Sequence, residues 1–244
     1  MKNISTKQIS DYVDKNIIIY HDCTFKQLKK LKLNTLLKRK NPYLFKAKNV
    51  TTAGDFVKKL LDAYLSSREE TTFGYFLEQL AIFVNKKVYG GTKSPAEGLD
   101  LDFTRDGNRY LVSIKSGPNW GNSDQIKKMK QNFSTAKKIV GVSVICVNGC
   151  SYGKRKKENM GTYIKKCGQS FWEFISGRPD FYKEIIKPLG IKAKEKNEQF
   201  NREYGNVINI FTKRFIEDYC KNTGEIDWEK IVEFNSQKIT KKNK

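Results

Sequence analysis

The segment Glu97–Trp120 decides the fold of this chain, and it reads EGLDLDFTRDGNRYLVSIKSGPNW. Two stretches of alternating apolar and polar residues flank the Asp106-Gly107 pair. Asp-Gly between such stretches is a strong signal for a β-hairpin, because glycine accepts the positive φ that a tight turn requires. A turn at this position pairs Thr104 with Arg109.

This register predicts two chemically different faces of the hairpin, because side chains alternate along a strand and opposed residues share a face. One face is apolar and is expected to lie against the core; it contains Leu99, Leu101, Phe103, Tyr110, Val112 and Ile114. The other face is polar and contains Asp100, Asp102, Ser113 and Lys115. The register pairs Asp100 with Ser113 and Leu99 with Ile114. An ordinary hairpin with one solvated face would show the same alternation.

The polar face resembles the core of the PD-(D/E)XK nucleases, which include the type II restriction endonucleases. Asp100 matches the aspartate of the first strand in that family, and Ser113-Ile114-Lys115 matches its acid-x-Lys motif, as a Ser-x-Lys variant. Three segments also resemble one subgroup of the restriction endonucleases, and the similarity spans roughly residues 41–190. These segments are KSGPNWGNS (115–123), NPYLFKAKN (41–49) and CGQSFW (167–172).

The order of elements and the resemblance together imply an α/β (α+β) fold. A hairpin, a helix and then a buried strand indicate a mixed sheet with flanking helices, and the restriction-endonuclease-like core has this order. We expect a single nuclease domain over residues 1–244. Its parts are a helical N-terminal part (1–65), a catalytic core (66–190) and a helical C-terminal part (191–244) that ends in a disordered tail.

Outside the hairpin, hydrophobic periodicity and capping residues predict further elements. A β-branched run over 138–147 predicts a strand that is covered on both faces, and a basic, Gly-punctuated loop is expected at 148–157. Helices are expected at 6–19, 24–37, from Thr51 or Thr52 onward, again from Ser66, from Ser123 or Asp124, at 169–177, 181–186 and 207–219, and around 228–234.

The resemblance implies magnesium-dependent hydrolysis of phosphodiester bonds in double-stranded DNA, with Mn²⁺ as a substitute ion. Asp100 and the backbone carbonyl of Ile114 are expected to bind the metal. Lys115 is expected to lie beside the attacking water or the phosphate, and Ser113 could hold a metal-bound water. Hard divalent cations prefer such oxygen ligands.

Because Ser113 leaves one acidic position vacant, a further carboxylate is needed. A helix before the first core strand often supplies it in this family, and Glu78 is our candidate, although an exposed Glu on an amphipathic helix would look the same. Asp102 ranks second to Asp100 as a ligand. Glu97 and Glu70 remain alternatives.

The charge of the chain favours a polyanionic partner. There are 47 basic and 26 acidic residues, which gives a net charge of +21, and Lys and Arg contacts to phosphates supply most non-specific affinity for nucleic acid. Only eight of the basic residues are Arg, so a Lys-rich composition explains part of the excess. The candidate DNA-binding residues are Asn119, Trp120, Asn122, Lys127, Lys154 and Arg155.

The remaining composition narrows the class of protein. Cys146, Cys150 and Cys167 could suggest a zinc site. A structural zinc site needs four ligands, and the single histidine, His21, lies far away in the sequence, so we expect buried free thiols and no zinc. No apolar run is long enough to span a membrane, and a cytoplasmic protein of a bacterium or archaeon is expected.

The partners implied by the resemblance are double-stranded DNA, a second copy of the chain in a homodimer, and a functionally paired DNA methyltransferase. Two alternatives remain open. One is a non-catalytic nucleic-acid-binding protein on a degenerate nuclease fold, and the other is a repair or structure-specific nuclease.

Overall fold

The computed structural model describes residues 4–141, 143–190 and 193–238. The chain divides into two compact units: residues 1–20 with 70–193, and residues 21–69 with 194–244. The boundaries expected from sequence, after 65 and after 190, lie within a few residues of two of these divisions, and the single nuclease domain stays a prediction. The predicted disordered tail at 240–244 lies outside the described residues.

The sheet lies in the first unit and has four strands in the order β1-β2-β3-β4. The first pair is antiparallel, and the pairs β2–β3 and β3–β4 are parallel, so the sheet is mixed, as predicted. The strands are β1 (Leu101–Arg105), β2 (Asn108–Lys115), β3 (Ile145–Cys150) and β4 (Ile164–Cys167). The helices are α1 (Thr6–Lys29), α2 (Leu33–Arg39), α3 (Pro42–Ala47), α4 (Ala53–Tyr89), α5 (Ser123–Val140), α6 (Gln169–Ser176), α7 (Phe181–Glu184), α8 (Ile186–Gly190), α9 (Ala193–Tyr219) and α10 (Trp228–Ser236).

The predicted hairpin register is confirmed over the whole ladder, from Leu101 opposite Val112 to the turn. Asp106 and Gly107 both have positive φ, +50° and +76°, as the tight turn requires. The ladder begins at Leu101, so the predicted pairs of Asp100 with Ser113 and Leu99 with Ile114 are not formed.

Both faces of the hairpin are covered, which corrects the expectation of one apolar and one polar face. Leu101 and Val112 pack in a core with residues of α1, α4 and α6. On the other face, Leu111 packs against Met129 and Phe133 of α5. Leu99 belongs to this second cluster, because the backbone leaves the regular ladder before it.

The buried strand starts later than predicted. Residues 138–140 complete α5, which Gly141 ends with a φ of +121°, a backbone conformation that other residues rarely adopt. The strand then runs from Ile145 to Cys150. Asn148, which was expected in a loop, is therefore the fourth residue of a central strand.

Several helix boundaries also differ. Helix α1 continues through the predicted break at residues 20–23 as far as Lys29, because no glycine or proline interrupts it. Helix α2 therefore begins only at Leu33, later than the predicted start at residue 24. The second start at Ser66 is wrong, since α4 is continuous over 37 residues. The N-cap at Thr52 is confirmed, because its hydroxyl accepts from the Asp55 N–H at 3.2 Å. The strand β4 had not been predicted.

The second unit is helical and has its own core, in which Leu36, Phe56 and Phe215 are fully buried. The cysteine prediction holds in part: Cys146, Cys150 and Cys167 are buried free thiols, whereas Cys23 and Cys220 are half-buried. Among the described helices, none is long and apolar enough to cross a membrane.

Candidate active site

Asp100 is held where β1 begins, beside β2. Its carboxylate accepts a hydrogen bond from the backbone N–H of Ile114 at 2.6 Å. Its own N–H donates to the carbonyl of Val112 at 2.8 Å, and its carbonyl accepts from the N–H of Ser94 at 3.3 Å. The position of this carboxylate is therefore fixed by backbone on both sides.

Glu78 comes to the same place from α4. Its neighbours Leu77 and Leu80 are buried in the core that also contains the apolar residues of β1 and β2, so the packing of α4 on the sheet brings the half-buried Glu78 toward Asp100. Burial raises the pKa of the Glu78 carboxyl, and the negative charge of Asp100 raises it further. A nearby like charge disfavours ionisation in this way.

Two ammonium groups offset this accumulation of negative charge. Burial raises the pKa of the Asp100 carboxyl, while the hydrogen bond from Ile114 and then the positive charges of Lys115 and Lys93 act in the opposite direction. The same two lysines also act against burial and the charge of Asp100, which raise the pKa of Glu78. Asp100 and Glu78 therefore share the electrostatic influence of the same two ammonium groups.

Lys93 was missed by the sequence analysis. It lies between Thr92, which forms a β-bridge with Asp102, and Ser94, which binds the backbone of Asp100. The Gly90-Gly91 pair before it signalled only a connection. Position next to a hairpin was the only available clue, because a single exposed lysine has no periodic pattern.

Backbone carbonyls of β2 also lie beside Asp100. The carbonyl of Val112 faces β1, since it accepts from Asp100, and the carbonyl of Lys115 faces β3, since it accepts from the Ser151 N–H at 3.0 Å. Successive carbonyls of a strand point to opposite sides, so the Ile114 carbonyl points to the side of β2 on which β1 lies. Ser113 is 1% exposed, and its hydroxyl has no hydrogen-bond partner among the described residues.

This set of donors suits a hard divalent cation. It contains carboxylates and a carbonyl and no nitrogen or sulfur ligand, which is the preference of Mg²⁺. Within the described residues, no group of three or more His, Cys, Asp or Glu side chains is arranged to hold a metal. Two carboxylates are sufficient for Mg²⁺, which usually keeps several water ligands.

The other predicted carboxylates have different surroundings. Asp102 accepts two hydrogen bonds from the guanidinium of Arg109, at 3.0 and 2.6 Å. Glu97 is exposed and pairs with Lys128 at 3.3 Å. Glu70 is exposed on α4, eight residues before Glu78, which is about 12 Å along a helix.

The residues predicted to contact DNA differ in their exposure and in the contacts that they make within the protein. Asn119, Lys127 and Lys154 are exposed. Asn122 caps α5 in a capping box with Gln125. The guanidinium of Arg155 donates to the carbonyl of Lys157 at 2.7 Å and to the sulfur of Met160 at 3.0 Å. Trp120 contacts Lys115 and Asn148.

Comparison with known families agrees with this geometry. The family model of the type II restriction endonuclease EcoO109I matches residues 7–197. The chain belongs to this family. The matched residues contain α4, all four strands and every residue of the candidate site. No curated protein matches the chain.

Membership assigns the chain to the type II restriction endonucleases of the PD-(D/E)XK type. It is therefore a nuclease, and its family acts on double-stranded DNA and is generally dependent on a divalent metal. The mixed sheet flanked by helices is the fold expected for that family.

Proposed function

We propose that the protein is a magnesium-dependent, sequence-specific endonuclease that hydrolyses phosphodiester bonds in double-stranded DNA at the site around Asp100. The observation that carries the proposal is the Asp100 carboxylate, which the Ile114 N–H holds at 2.6 Å, one residue before Lys115. The half-buried Glu78 carboxylate and the Lys115 ammonium interact electrostatically with it. Family membership supports the nuclease chemistry.

In this proposal Asp100, Glu78 and the Ile114 carbonyl hold Mg²⁺, and Mn²⁺ can replace it. The ion, when bound, supplies positive charge and acidifies a water molecule. The Ile114 N–H orients the Asp100 carboxylate, and the buried hydroxyl of Ser113 is available to a water molecule near these ligands.

Lys115 has the role of the catalytic cation. Its ammonium would donate hydrogen bonds to a non-bridging phosphate oxygen or to the attacking water, which stabilises the negative charge that develops in the transition state. Lys93, which is exposed, adds a second positive charge that acts on both carboxylates. Neither role requires the single histidine of the chain.

The DNA is proposed to lie across the exposed basic residues near this site. Lys127 of α5 and Lys154 after β3 would contact phosphates, together with Asn119, Asn122 and Arg155, whereas the ring of Trp120 faces Lys115. Such contacts position the duplex, whereas contacts to base edges give specificity. A homodimer would match a two-fold symmetric DNA site, and a paired methyltransferase would protect that site in the cytoplasm of the bacterial or archaeal host.

The test is incubation of the purified protein with phage-length duplex DNA, in Mg²⁺, in Mn²⁺ and in EDTA, beside Asp100→Ala and Lys115→Ala. We expect discrete bands that require the metal and are lost in both variants. Sedimentation of the protein on a duplex that contains the mapped site then gives its oligomeric state, and prior methylation of that site is expected to prevent cleavage.

Two results would contradict the proposal. A folded protein that binds DNA and cuts it in no metal would be a binding protein on a degenerate nuclease fold. Cleavage confined to flaps, mismatches or RNA, without discrete bands from a duplex, would indicate a repair or structure-specific nuclease.

A further inference from the structure

Two buried polar side chains hold the segment that follows Lys115 onto the sheet. The ammonium of Lys165, on β4, donates to the carbonyl of Pro118 at 2.6 Å. The side-chain oxygen of Asn148, on β3, accepts from the indole N–H of Trp120 at 3.1 Å. Lys165 is 8% exposed and Asn148 is 1% exposed. Burial of such groups costs free energy unless they are hydrogen-bonded, so these bonds fix the segment strongly.

Asn148 connects this segment to the strand that contains the proposed catalytic residues. Its amide nitrogen donates to the backbone carbonyl of Ser113 at 3.2 Å, and the two residues are direct partners in the parallel ladder of β2 and β3. One amide group therefore joins the indole of Trp120 to the backbone two residues before Lys115. A rigid strand, and not the loop itself, sets the position of the ring.

The ring of Trp120 in turn contacts Lys115. The Lys115 ammonium lies 5.2 Å from the centroid of the ring, within the range of about 6 Å over which an aromatic face attracts a cation. A lysine side chain has four carbons between backbone and charge and many accessible rotamers. The aromatic face reduces this freedom and holds the ammonium near Asp100 and Glu78.

We propose that Asn148 and Trp120 are positioning residues that fix the ammonium of Lys115 for DNA cleavage. Asn148 fixes the orientation of the Trp120 indole, and the face of the indole fixes the position of the Lys115 ammonium. Lys165 supports the same segment through Pro118. This inference rests on the proposed function, because it takes Lys115 as the catalytic cation.

A structural role alone makes a different prediction from a positioning role. Loss of packing lowers stability and leaves the rate of the remaining folded enzyme unchanged. Loss of positioning lowers the rate of the bound complex, because even a small misplacement of a catalytic group is costly in rate. A DNA contact by Trp120 would instead weaken binding.

The experiment compares Trp120→Phe, Asn148→Ala and the double variant in single-turnover cleavage with Mg²⁺, at enzyme concentrations that saturate the DNA. The dissociation constant is measured on the same DNA with Ca²⁺ in place of Mg²⁺. We expect each single variant to cleave about tenfold more slowly, with a dissociation constant within about twofold of the wild type. The double variant should resemble the single variants, because both changes remove the same hydrogen bond.

The matched control is Trp228→Phe in the second unit, where the Lys46 ammonium lies 5.5 Å from the centroid of the Trp228 ring. This variant also loses an indole beside a lysine, and its cleavage rate should equal that of the wild type. Trp120→Leu, which removes the aromatic face, should be slower than Trp120→Phe. If Asn148→Ala does not fold, this Phe–Leu comparison carries the test, and equal rates for the two variants would overturn the inference.

The contacts of Trp120 with Asn148 and Lys115 can also be observed without a cleavage assay. The indole N–H signals of Trp120, Trp172 and Trp228 are visible by ¹H–¹⁵N NMR, and the signal absent in Trp120→Phe identifies that of Trp120. Asn148→Ala should shift this signal and accelerate its exchange with solvent, and Lys115→Met should shift it too. An unchanged signal in both variants would contradict the geometry.

The failures of the two proposals are distinguishable. A wild-type protein that cuts no DNA overturns the proposed function. If the wild type cuts DNA, additive losses of about a hundredfold in the double variant, or unchanged rates in both single variants, overturn the positioning role alone. A weakened dissociation constant with an unchanged rate would make Trp120 a DNA contact.

Discussion

The carboxylate of Asp100 accepts a 2.6 Å hydrogen bond from the backbone N–H of Ile114. The bond continues the pairing of the two strands past Leu101, where the regular ladder ends. The same bond holds the carboxylate against β2, on the side of that strand to which the Ile114 carbonyl also points. Asp100 therefore stabilises the hairpin and is a proposed metal ligand, and a substitution should separate these two roles.

Asp100→Asn is expected to abolish cleavage and to preserve the fold. The amide oxygen of asparagine can still accept from the Ile114 N–H, whereas the negative charge that attracts the cation is lost. We expect cleavage to fall by about a thousandfold or more, since charge stabilisation by a bound metal is worth several kcal/mol.

The measurement is the initial rate on the mapped DNA site, with the melting temperature as the check on folding. Glu97→Gln, which removes an exposed carboxylate paired with Lys128, serves as the control. Activity of Asp100→Asn within tenfold of the wild type would place the metal elsewhere.

Asp102→Asn is expected to retain cleavage. The Asp102 carboxylate accepts two hydrogen bonds from the guanidinium of Arg109, so its loss should cost stability of about 1 kcal/mol or less, as for other partly exposed ion pairs. Urea denaturation measures that cost, and the cleavage rate should stay close to that of the wild type. Loss of cleavage in a folded Asp102→Asn protein would instead support the sequence-based ranking of Asp102 as a second ligand.

Glu78→Gln is expected to stabilise the metal-free protein at neutral pH. Burial and the charge of Asp100 raise the pKa of Glu78, so the folded protein holds this proton more tightly than the unfolded chain does. Ionisation therefore costs no stability below the unfolded pKa of about 4.3, and the cost grows as the pH rises to the folded pKa and is complete above it. The glutamine side chain cannot ionise, so the variant should melt higher than the wild type at pH 8 in EDTA, and this difference should disappear near pH 4.

The control for this prediction is the same pair of proteins in Mg²⁺ at pH 8. A bound cation should stabilise the wild type more than Glu78→Gln, because binding to the folded state raises stability. A difference in melting temperature that is independent of pH would show that Glu78 is not ionised in the way the site requires.

Ser113→Ala is expected to leave stability unchanged or to raise it slightly. The buried hydroxyl has no partner among the described residues, and removal of an unpaired polar group recovers its desolvation cost. Ser176→Ala is the matched control, because its buried hydroxyl donates to the Trp172 carbonyl at 2.7 Å and its loss should cost about 1 kcal/mol. If the Ser113 hydroxyl binds a water in the site, Ser113→Ala should cleave several-fold more slowly at equal stability. A large loss of stability would reveal a partner for this hydroxyl.

Lys93→Met is expected to lower the Mg²⁺ concentration needed for half-maximal cleavage and to slow cleavage at saturating Mg²⁺. Burial raises the pKa of Asp100 and of Glu78, and the Lys93 ammonium acts in the opposite direction. The same positive charge repels a cation from these carboxylates. Its removal also takes a positive charge away from the approaching phosphate, so a fall of about tenfold in the maximal rate is expected. Titration of Mg²⁺ separates the two effects. Lys93→Arg, which keeps the charge, should restore both values, and a variant with both values unchanged would exclude Lys93 from the site.

Local sequence was sufficient wherever neighbouring residues along the chain decide the structure. The Asp106-Gly107 turn and the alternation around it determined the hairpin register, because a two-residue turn and the alternation of side chains allow little other pairing. The Thr52 cap and the helices α6 and α10 followed from caps and periodicity in the same way. Asp100 and Lys115 could be proposed as site residues because the hairpin that carries them resembles the PD-(D/E)XK core.

Sequence reasoning failed where distant segments compete for the same residues. The apolar run 138–147 is divided between the end of α5 and the start of β3. Gly141 ends the helix, and the residues from Ile145 to Cys150 form the strand. That shift moved Asn148 from a predicted loop into a buried strand. The polar face of the hairpin is covered by α5, since Leu111 and Leu99 pack against Met129 and Phe133 there. Alternation on one hairpin cannot reveal what covers it.

The sequence by itself determined the hairpin, its turn and the class of nuclease, because these depend on local backbone preferences and on a short motif. Tertiary structure alone decided that Lys93 and Asn148 lie close to this hairpin, and it decided where the already proposed Glu78 lies. Glu78 arrives on α4, Lys93 on the connection before the hairpin, and Asn148 on β3. Their distances to Asp100 and Lys115 are set by packing of the core around the sheet, and no local pattern in the chain encodes that packing.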